Sequence, residues 1–404
     1  MKRILLSILG VLCIALLMVF LWDRVPKHFS VQNTYARATV ALFASTKKTA
    51  KILVVPGHDN QSFGAGYKNM READVTAELA GYLYEFLNND PAFEVFSTRD
   101  FTTGDYLPTF EQYFANETSS INEFKNSLRN AMRAKLKSGE IASNVTIEHN
   151  AASSQTVFHL YGINKWANEN LIDLALHIHF NDYGRKRLSQ PGVYSGFSFY
   201  IPEYQYDHAK ESAAAALPVF NALKTSTYES TLPFERGGFI ESQELIAVGA
   251  NNSRLNGSFL VEYGYIYEPQ FTNRLLRPVA LRELAYQTYR GLAEHYQSKK
   301  VKEYRFKTSF LPYDFKTPMS LANVSPASFA LIGALIEEGL YPPDQKTFTD
   351  CPIGAMPANP CLKRSLSLFS EKYFNSGIPK DGLDPKTKDI ASSTLAKLDE
   401  LYGR

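Results

Sequence analysis

Two histidines, His177 and His179, lie two positions apart in the apolar stretch LIDLALHIHFND. Side chains alternate between the two faces of a β-strand, so both imidazoles would project from the same face of a sheet. Such a pair could contribute to a metal site, or it could be two hydrogen-bonded histidines at the end of a strand. The stretch by itself leaves both interpretations open.

Three other ionisable residues occur in settings that favour a site. His58 follows the apolar run KILVV and the break Pro56-Gly57, which places it at the C-terminal end of a strand, where sites form in open α/β sheets. Glu72 lies in the opening turn of a predicted helix, where the helix dipole also favours acidic residues. Glu262 interrupts the apolar run GSFLVEYGYI, and burial there would raise its pKa, which suits a proton shuttle.

The elements that would position these residues alternate between strands and helices, which predicts an α/β sandwich. The predicted strands are KILVV, FEVFSTRD, the histidine strand, GVYSGFSFYI and GSFLVEYGYI, and the predicted helices are READVTAELAGYLYEFLNN, HLYGINKWANEN and Ala209–Leu223. Residues 101–157 form a polar insertion that is longer than a simple connection needs. We hypothesise that its helix around Phe124 to Lys137 shapes or covers a substrate groove; the alternative is a peripheral excursion.

Composition limits the class of protein. The chain has 404 residues, of which 45% are hydrophobic and 21% charged, so it can bury more than one core. The net charge is +2 with interspersed signs, and this excludes the basic surface that nucleic-acid binding requires.

The N-terminus predicts a membrane anchor. Lys2 and Arg3 precede an uncharged run from Ile4 to Trp22, which is about long enough to cross a bilayer. We interpret residues 1–23 as an uncleaved signal anchor in the cytoplasmic membrane, with the rest of the chain outside the cytoplasm; a cleaved signal peptide is the alternative. In that compartment Cys351 and Cys361 are expected to form a disulfide.

The blocks ILVVPGH, READV, STRD, DLALHIHFND and FLVEYGYI resemble, in order and spacing, those of zinc-dependent N-acetylmuramoyl-L-alanine amidases of the third amidase family. This resemblance implies a mixed, mostly parallel sheet flanked by helices over residues 51–298, after a linker at 24–50. It also implies peptidoglycan as substrate, cleaved at the amide between N-acetylmuramic acid and L-alanine. Residues 299–322 would be a second linker.

Carried over to this chain, the family's zinc ligands fall on His58, Glu72 and His179, and its catalytic glutamate falls on Glu262. Two imidazoles and one carboxylate would leave a fourth tetrahedral position open for water, as catalytic zinc sites do. The chain departs from the family at His177, where serine is usual. It also departs at Val55, where an aspartate that could orient His58 is usual.

The C-terminal residues 323–404 resemble a small three-helix peptidoglycan-binding domain, with an Asp381-Gly382 turn and Thr387 before the last helix. A helical module that binds nothing is the alternative. The leading function is therefore a membrane-anchored zinc amidase of the cell envelope. The alternatives are a catalytically impaired wall-binding or scaffold protein, against which the four retained ionisable positions argue, and a zinc peptidase on another envelope substrate.

Overall fold

The structure is a computed structural model that describes residues 49–149, 152–296, 305–320, 325–353, 360–374, 382–384 and 389–404. The predicted signal anchor at 1–23 lies outside these ranges, as do nearly all of the linker at 24–50 and part of the linker at 299–322. Among the described residues, no helix combines the length and the apolar character needed to span a membrane.

The central feature is a six-stranded sheet. Its strands are β1 Ala50–Pro56, β4 Phe93–Ser97, β5 Leu174–Asn181, β6 Ser198–Pro202, β7 Phe239–Ser242 and β8 Gly257–Tyr265. Between β1 and β4, the short strands β2 Gly66–Tyr67 and β3 Met70–Arg71 form a separate hairpin. The order is β4-β1-β5-β8-β6-β7, and only the β6–β8 pairing is antiparallel. This mixed, mostly parallel sheet confirms the predicted fold class.

Helices cover both faces of the sheet, and three further helices follow at the C-terminus. They are α1 Glu72–Asn88, α2 Pro108–Asn116, α3 Thr118–Ser138, α4 Ser154–Glu169, α5 Ala209–Leu223, α6 Pro269–Thr272, α7 Arg277–Tyr296, α8 Pro326–Glu337, α9 Pro360–Tyr373 and α10 Ser392–Tyr402. One face packs against α1, α5 and α7, and the other against α2, α4 and a short 3-10 turn at Ile246–Val248. Because both faces are covered, the strands are apolar along most of their length.

Local chemistry explains where the predicted elements shift. Helix α4 begins earlier than HLYGINKWANEN predicts because the Ser153 hydroxyl accepts the backbone N–H of Thr156 at 3.1 Å and caps the helix. Strand β6 is shorter than GVYSGFSFYI predicts. Gly196 precedes it with φ +91°, where a Cβ would lie 2.5 Å from the carbonyl oxygen of Glu229, so the extended conformation begins only after this turn.

The C-terminal residues form a hydrophobic core of their own. Helices α8, α9 and α10 contribute Leu335, Phe369 and Leu398 to it. Cys351 and Cys361 are buried within it and form a disulfide, with their Cα atoms 5.8 Å apart, which confirms the predicted bridge. Gly382 has φ +68°, as its turn requires, whereas Asp381 and Thr387 lie outside the described residues. The wall-binding role of this region stays a prediction.

Candidate active site

His58 lies directly after β1, and the backbone holds it in an unusual conformation. Its φ is +64°, a left-handed geometry that costs a non-glycine residue ~1–2 kcal/mol and often marks a functional position. Before it, the Gly57 N–H donates to the Ile178 carbonyl at 2.8 Å, which ties the end of β1 to β5. After it, the Asp59 carboxylate accepts the backbone N–H of Ser62 at 2.6 Å and closes the turn. The imidazole is thereby directed toward the end of the sheet.

Glu72 is the first residue of α1 and is 4% exposed. Its Oε1 lies 3.0 Å from His179 Nδ1 and accepts the Phe180 N–H at 3.1 Å. Its Oε2 lies 3.1 Å from His58 Nε2 and accepts the Ala65 N–H at 2.9 Å. Burial would raise the pKa of this carboxyl, but the hydrogen bonds and charges of the two histidines hold it well below its usual range. Glu72 is therefore an ionised carboxylate.

The period-two prediction for β5 is correct, since His177 and His179 lie on the same face of the sheet. His179 contacts Glu72, whereas His177 lies deeper, paired in register with Val55 of β1 and Leu260 of β8. Burial lowers the pKa of His177 to about 3, with further effects from the charges of His179 and Arg254, so this imidazole is neutral. The structure therefore brings His179, and not His177, to Glu72.

The three predicted ligands fit a zinc ion. Donor atoms of His58, Glu72 and His179 all lie within 4.8 Å of one another. Two imidazoles and one carboxylate are a donor set that zinc prefers, and Glu72 lies 3.1 Å from the His58 ring and 3.0 Å from the His179 ring. Two glycines make room for this arrangement. A Cβ on Gly57 would lie 2.5 Å from the His179 ring, and one on Gly64 would lie 2.5 Å from Glu72 Oε2.

Glu262 lies beside this cluster on the neighbouring strand β8. It pairs in register with His179, so the two side chains project from the same face. Its Oε2 is buried and has no hydrogen-bond partner among the described residues. Burial raises the pKa of Glu262 well above its ordinary value, and the charges of Glu72 and Glu235 raise it further. A carboxyl group with a raised pKa next to a metal site can accept and return a proton.

The Amidase_3 family of N-acetylmuramoyl-L-alanine amidases has a sequence model that matches residues 52–294, which is more than half of the chain. The chain belongs to this family. The predicted resemblance and enzyme class are confirmed, and the protein is a peptidoglycan amidase. No curated protein sequence matches the chain significantly.

Several solved amidase structures are similar to this chain at low sequence identity. The N-acetylmuramoyl-L-alanine amidase of Clostridium difficile 630 is 14% identical, with a TM-score of 0.38 over 63% of this chain and 100% of that one. The catalytic domain of the amidase CwlV from Bacillus (Paenibacillus) polymyxa is 15% identical, with a TM-score of 0.38 over 62% and 100%. The amidase Ami1 of Mycobacterium smegmatis is 13% identical, with a TM-score of 0.40 over 63% and 100%.

One buried carboxylate near the candidate site of this amidase, Glu235, was not predicted from the sequence. It is 0% exposed, and its Oε1 accepts the Tyr200 hydroxyl at 2.8 Å and the Asn181 amide at 3.0 Å, while its Oε2 accepts the Tyr265 hydroxyl at 3.2 Å. The flanking sequence PFERGG is typical of an exposed turn, so no local pattern marks Glu235. Its place is set by the three donors that surround it.

A cavity of 280 Å³ adjoins the predicted ligands His58 and His179 on the α4 side of the sheet. Five of the eight histidines in the chain line it, namely His58, His149, His159, His177 and His179. A larger cavity of 520 Å³ lies between the catalytic part and the C-terminal helices, lined by residues such as Tyr267 and Phe329. None of the predicted site residues lines the larger cavity, so the smaller one is the candidate for substrate contact.

The insertion is part of the catalytic core. Phe110, Phe114 and Ile121 of α2 and α3 are buried against α4. The flanks of the insertion, including Tyr106 and His149, line the smaller cavity, whereas no residue of α3 does. The helix that we expected to shape or cover the groove therefore packs behind its wall, and a role in catalysis stays a prediction.

Val55 bears on the orientation of His58. The valine is 4% exposed and packs in the core on the α4 side, where a carboxylate would be costly. The His58 ring is instead held by Glu72, whose Oε2 lies 3.1 Å from its Nε2. Burial lowers the pKa of His58, but the hydrogen bond and charge of Glu72, together with the charge of Asp59, raise it overall.

Proposed function

We propose that this amidase is a zinc hydrolase that cleaves the amide between the lactyl group of N-acetylmuramic acid and L-alanine in peptidoglycan. His58, Glu72 and His179 would hold the ion. The observation that carries the proposal is the grouping of these three donors around Glu72, with Glu262 next to them in register on β8. Bound zinc lowers the pKa of water from 15.7 to about 7 and polarises a carbonyl oxygen.

The protein's own residues would have separate tasks in this reaction. Glu72 stays ionised and positions both imidazoles, because each of its oxygens lies beside one ring and accepts one backbone N–H. Glu262 would accept a proton from the attacking water and deliver it to the departing amine of L-alanine. Its raised pKa favours the second transfer, since a strongly acidic carboxyl would not readily hold the proton between the two steps.

We also propose that the enzyme is anchored in the cytoplasmic membrane by residues 1–23, with its catalytic part outside the cytoplasm. The apolar run from Ile4 to Trp22 supports this, as does the location of peptidoglycan. The disulfide between Cys351 and Cys361 fits an oxidising compartment. The C-terminal helical region would bind the wall and hold the enzyme near its substrate.

Product analysis tests the proposal. Full-length zinc-loaded protein is incubated with purified peptidoglycan and with soluble muropeptides, and the products are identified by mass spectrometry and amino-terminal labelling. We expect intact stem peptides with a new amino terminus on L-alanine, together with glycan that retains its lactyl groups. Peptides cut at another bond would indicate a peptidase. Binding to the wall without cleavage would indicate a scaffold protein.

A further inference from the structure

The smaller cavity is lined in part by a buried imidazole that the proposed reaction does not use. His177 is 1% exposed and lines the cavity together with the predicted ligands His58 and His179. Its Nε2 is buried and has no hydrogen-bond partner in the part of the chain that the structure describes. Buried polar atoms are normally hydrogen-bonded, so an imidazole that lines a cavity and keeps one unpartnered nitrogen is a candidate to bind a ligand group there.

The walls of the cavity restrict what this group can be. They are largely apolar, with contributions from Val55, Leu160, Ile163, Ile246 and Leu260. Neither lysine nor arginine lines the cavity, whereas Asp59 and Glu244 do, so a carboxylate in the cavity would lie near like charges. A charged amine would pair with one of these two carboxylates rather than with the His177 imidazole. An uncharged polar group has neither the cost of the carboxylate nor the preference of the amine.

The size and position of the cavity indicate a small group next to the scissile bond. Its 280 Å³ is just below the ~300–1,000 Å³ of ordinary ligand pockets, so it can hold a short side chain or substituent with one polar end. Because His58 and His179 form part of its lining, a substrate whose scissile amide lies at these ligands would place an adjacent substituent in the cavity. An imidazole nitrogen can donate or accept a hydrogen bond according to its tautomer, so it matches an amide group.

We propose that this cavity is a substrate subsite for an uncharged amide-bearing group next to the scissile bond, and that His177 is the specificity-determining residue that hydrogen-bonds this amide. The inference rests on the proposed function. Muropeptides offer the same chemistry from two sources, the acetamido group of the sugar and a carboxamide on the stem peptide.

Two matched pairs of synthetic muropeptides separate these sources. One pair differs only by an acetamido or a hydroxyl group on the sugar, and the other by a carboxamide or a carboxylate on the second residue of the stem. Full-length zinc-loaded wild type is compared with His177→Leu, which keeps an apolar side chain of similar reach, and with His177→Gln, which restores an amide that can donate and accept. The zinc content of each protein is measured in parallel.

We expect the wild type to favour the amide-bearing member of one pair by at least about tenfold in kcat/KM, because a site built to hydrogen-bond a group discriminates against its absence. In His177→Leu this preference should fall to less than about twofold, and His177→Gln should recover part of it. The pair that responds identifies the source of the amide. Leu160→Phe, which fills the cavity without changing His177, should raise KM for the preferred substrate.

Equal discrimination by wild type and His177→Leu in both pairs, at equal zinc content, would overturn the inference while leaving the proposed function intact. If His177→Leu does not fold, an unchanged KM in Leu160→Phe would overturn it as well. Absence of cleavage of every muropeptide by the zinc-loaded wild type would instead remove the proposed function on which the inference rests.

Discussion

The candidate site has two halves, a ligand half formed by His58, Glu72 and His179, and a second half formed by Glu262 and His177. The polar atoms of the two halves differ in whether they have hydrogen-bond partners. In the ligand half, both oxygens of Glu72 contact an imidazole and accept a backbone N–H. In the other half, Glu262 Oε2 and His177 Nε2 are buried without a hydrogen-bond partner among the described residues. The two halves are adjacent, since Glu262 pairs in register with His179.

This difference indicates which half the chain completes by itself. An unsatisfied buried polar group costs about 1–3 kcal/mol, so the ligand half is held in place by its own contacts, whereas the other half retains a cost that water or substrate would relieve. Substitutions in the ligand half should therefore remove the metal. Substitutions in the other half should change turnover or specificity while the metal stays bound.

The largest expected effect is on the ligand half. In His179→Ala the Glu72 carboxylate loses one imidazole and the site one of its three donors, so stoichiometric zinc should be lost and activity should fall by at least about four orders of magnitude. His177→Leu, two positions away on the same face, is the matched control and should retain zinc. Elemental analysis of both purified proteins makes the comparison. Zinc retained by His179→Ala and lost from His177→Leu would exchange the roles that we assign to the two histidines.

The next largest effect separates metal binding from proton transfer. Glu262→Gln keeps the size of the side chain but removes the proton acceptor, so kcat should fall by about two to four orders of magnitude at unchanged zinc content. Turnover of a soluble muropeptide and metal analysis are measured on the same preparation. Near-normal turnover would exclude Glu262 from the mechanism, and loss of zinc would place it in the ligand half.

A smaller effect is expected where the backbone supports a ligand. In Gly57→Ala the new Cβ would collide with the His179 ring, which must shift, so zinc affinity should fall by about 10- to 100-fold. Gly66→Ala is the control, because its nearest contact is the Met70 carbonyl oxygen at 3.6 Å. A competition titration with a chelator measures both affinities. Equal affinities would show that the ligand half tolerates movement of this ring.

The smallest expected effect concerns the charge next to Glu262. Glu235 raises the pKa of Glu262, so Glu235→Gln should lower this pKa and move the acidic limb of the kcat profile to lower pH by less than about one pH unit. The sign follows because the proton acceptor must be ionised, and a lower pKa keeps it ionised in more acidic solution. A shift to higher pH would contradict the proposed coupling. Tyr200→Phe is the control, since it removes a donor to Glu235 without removing its charge.

Much of the fold could be predicted because its signals are local. The boundaries of α5 match the prediction at both ends, and β1, α1 and β8 match within one residue. The less accurate predictions depended on interactions outside the local pattern. The strand pattern of GVYSGFSFYI does not show that Gly196 adopts a positive φ, and the polar insertion gave no indication that Phe110 and Phe114 pack into the core.

By itself, the sequence determined the chemistry that is available and the local geometry that presents it. The Pro56-Gly57 break directs His58 away from β1, the start of α1 presents Glu72, and the alternation along β5 puts both histidines on one face. Only the tertiary structure decided how these pieces combine. Glu72 and His179 are 107 positions apart in the sequence, and they meet only in the folded chain. Strand neighbours and their register decide that His179 is the histidine beside Glu72, and that Glu262 lies next to it. They also decide the place of Glu235 and the cavity at His177. Local propensities do not encode this information, because a strand has the same alternation whichever partner it pairs with.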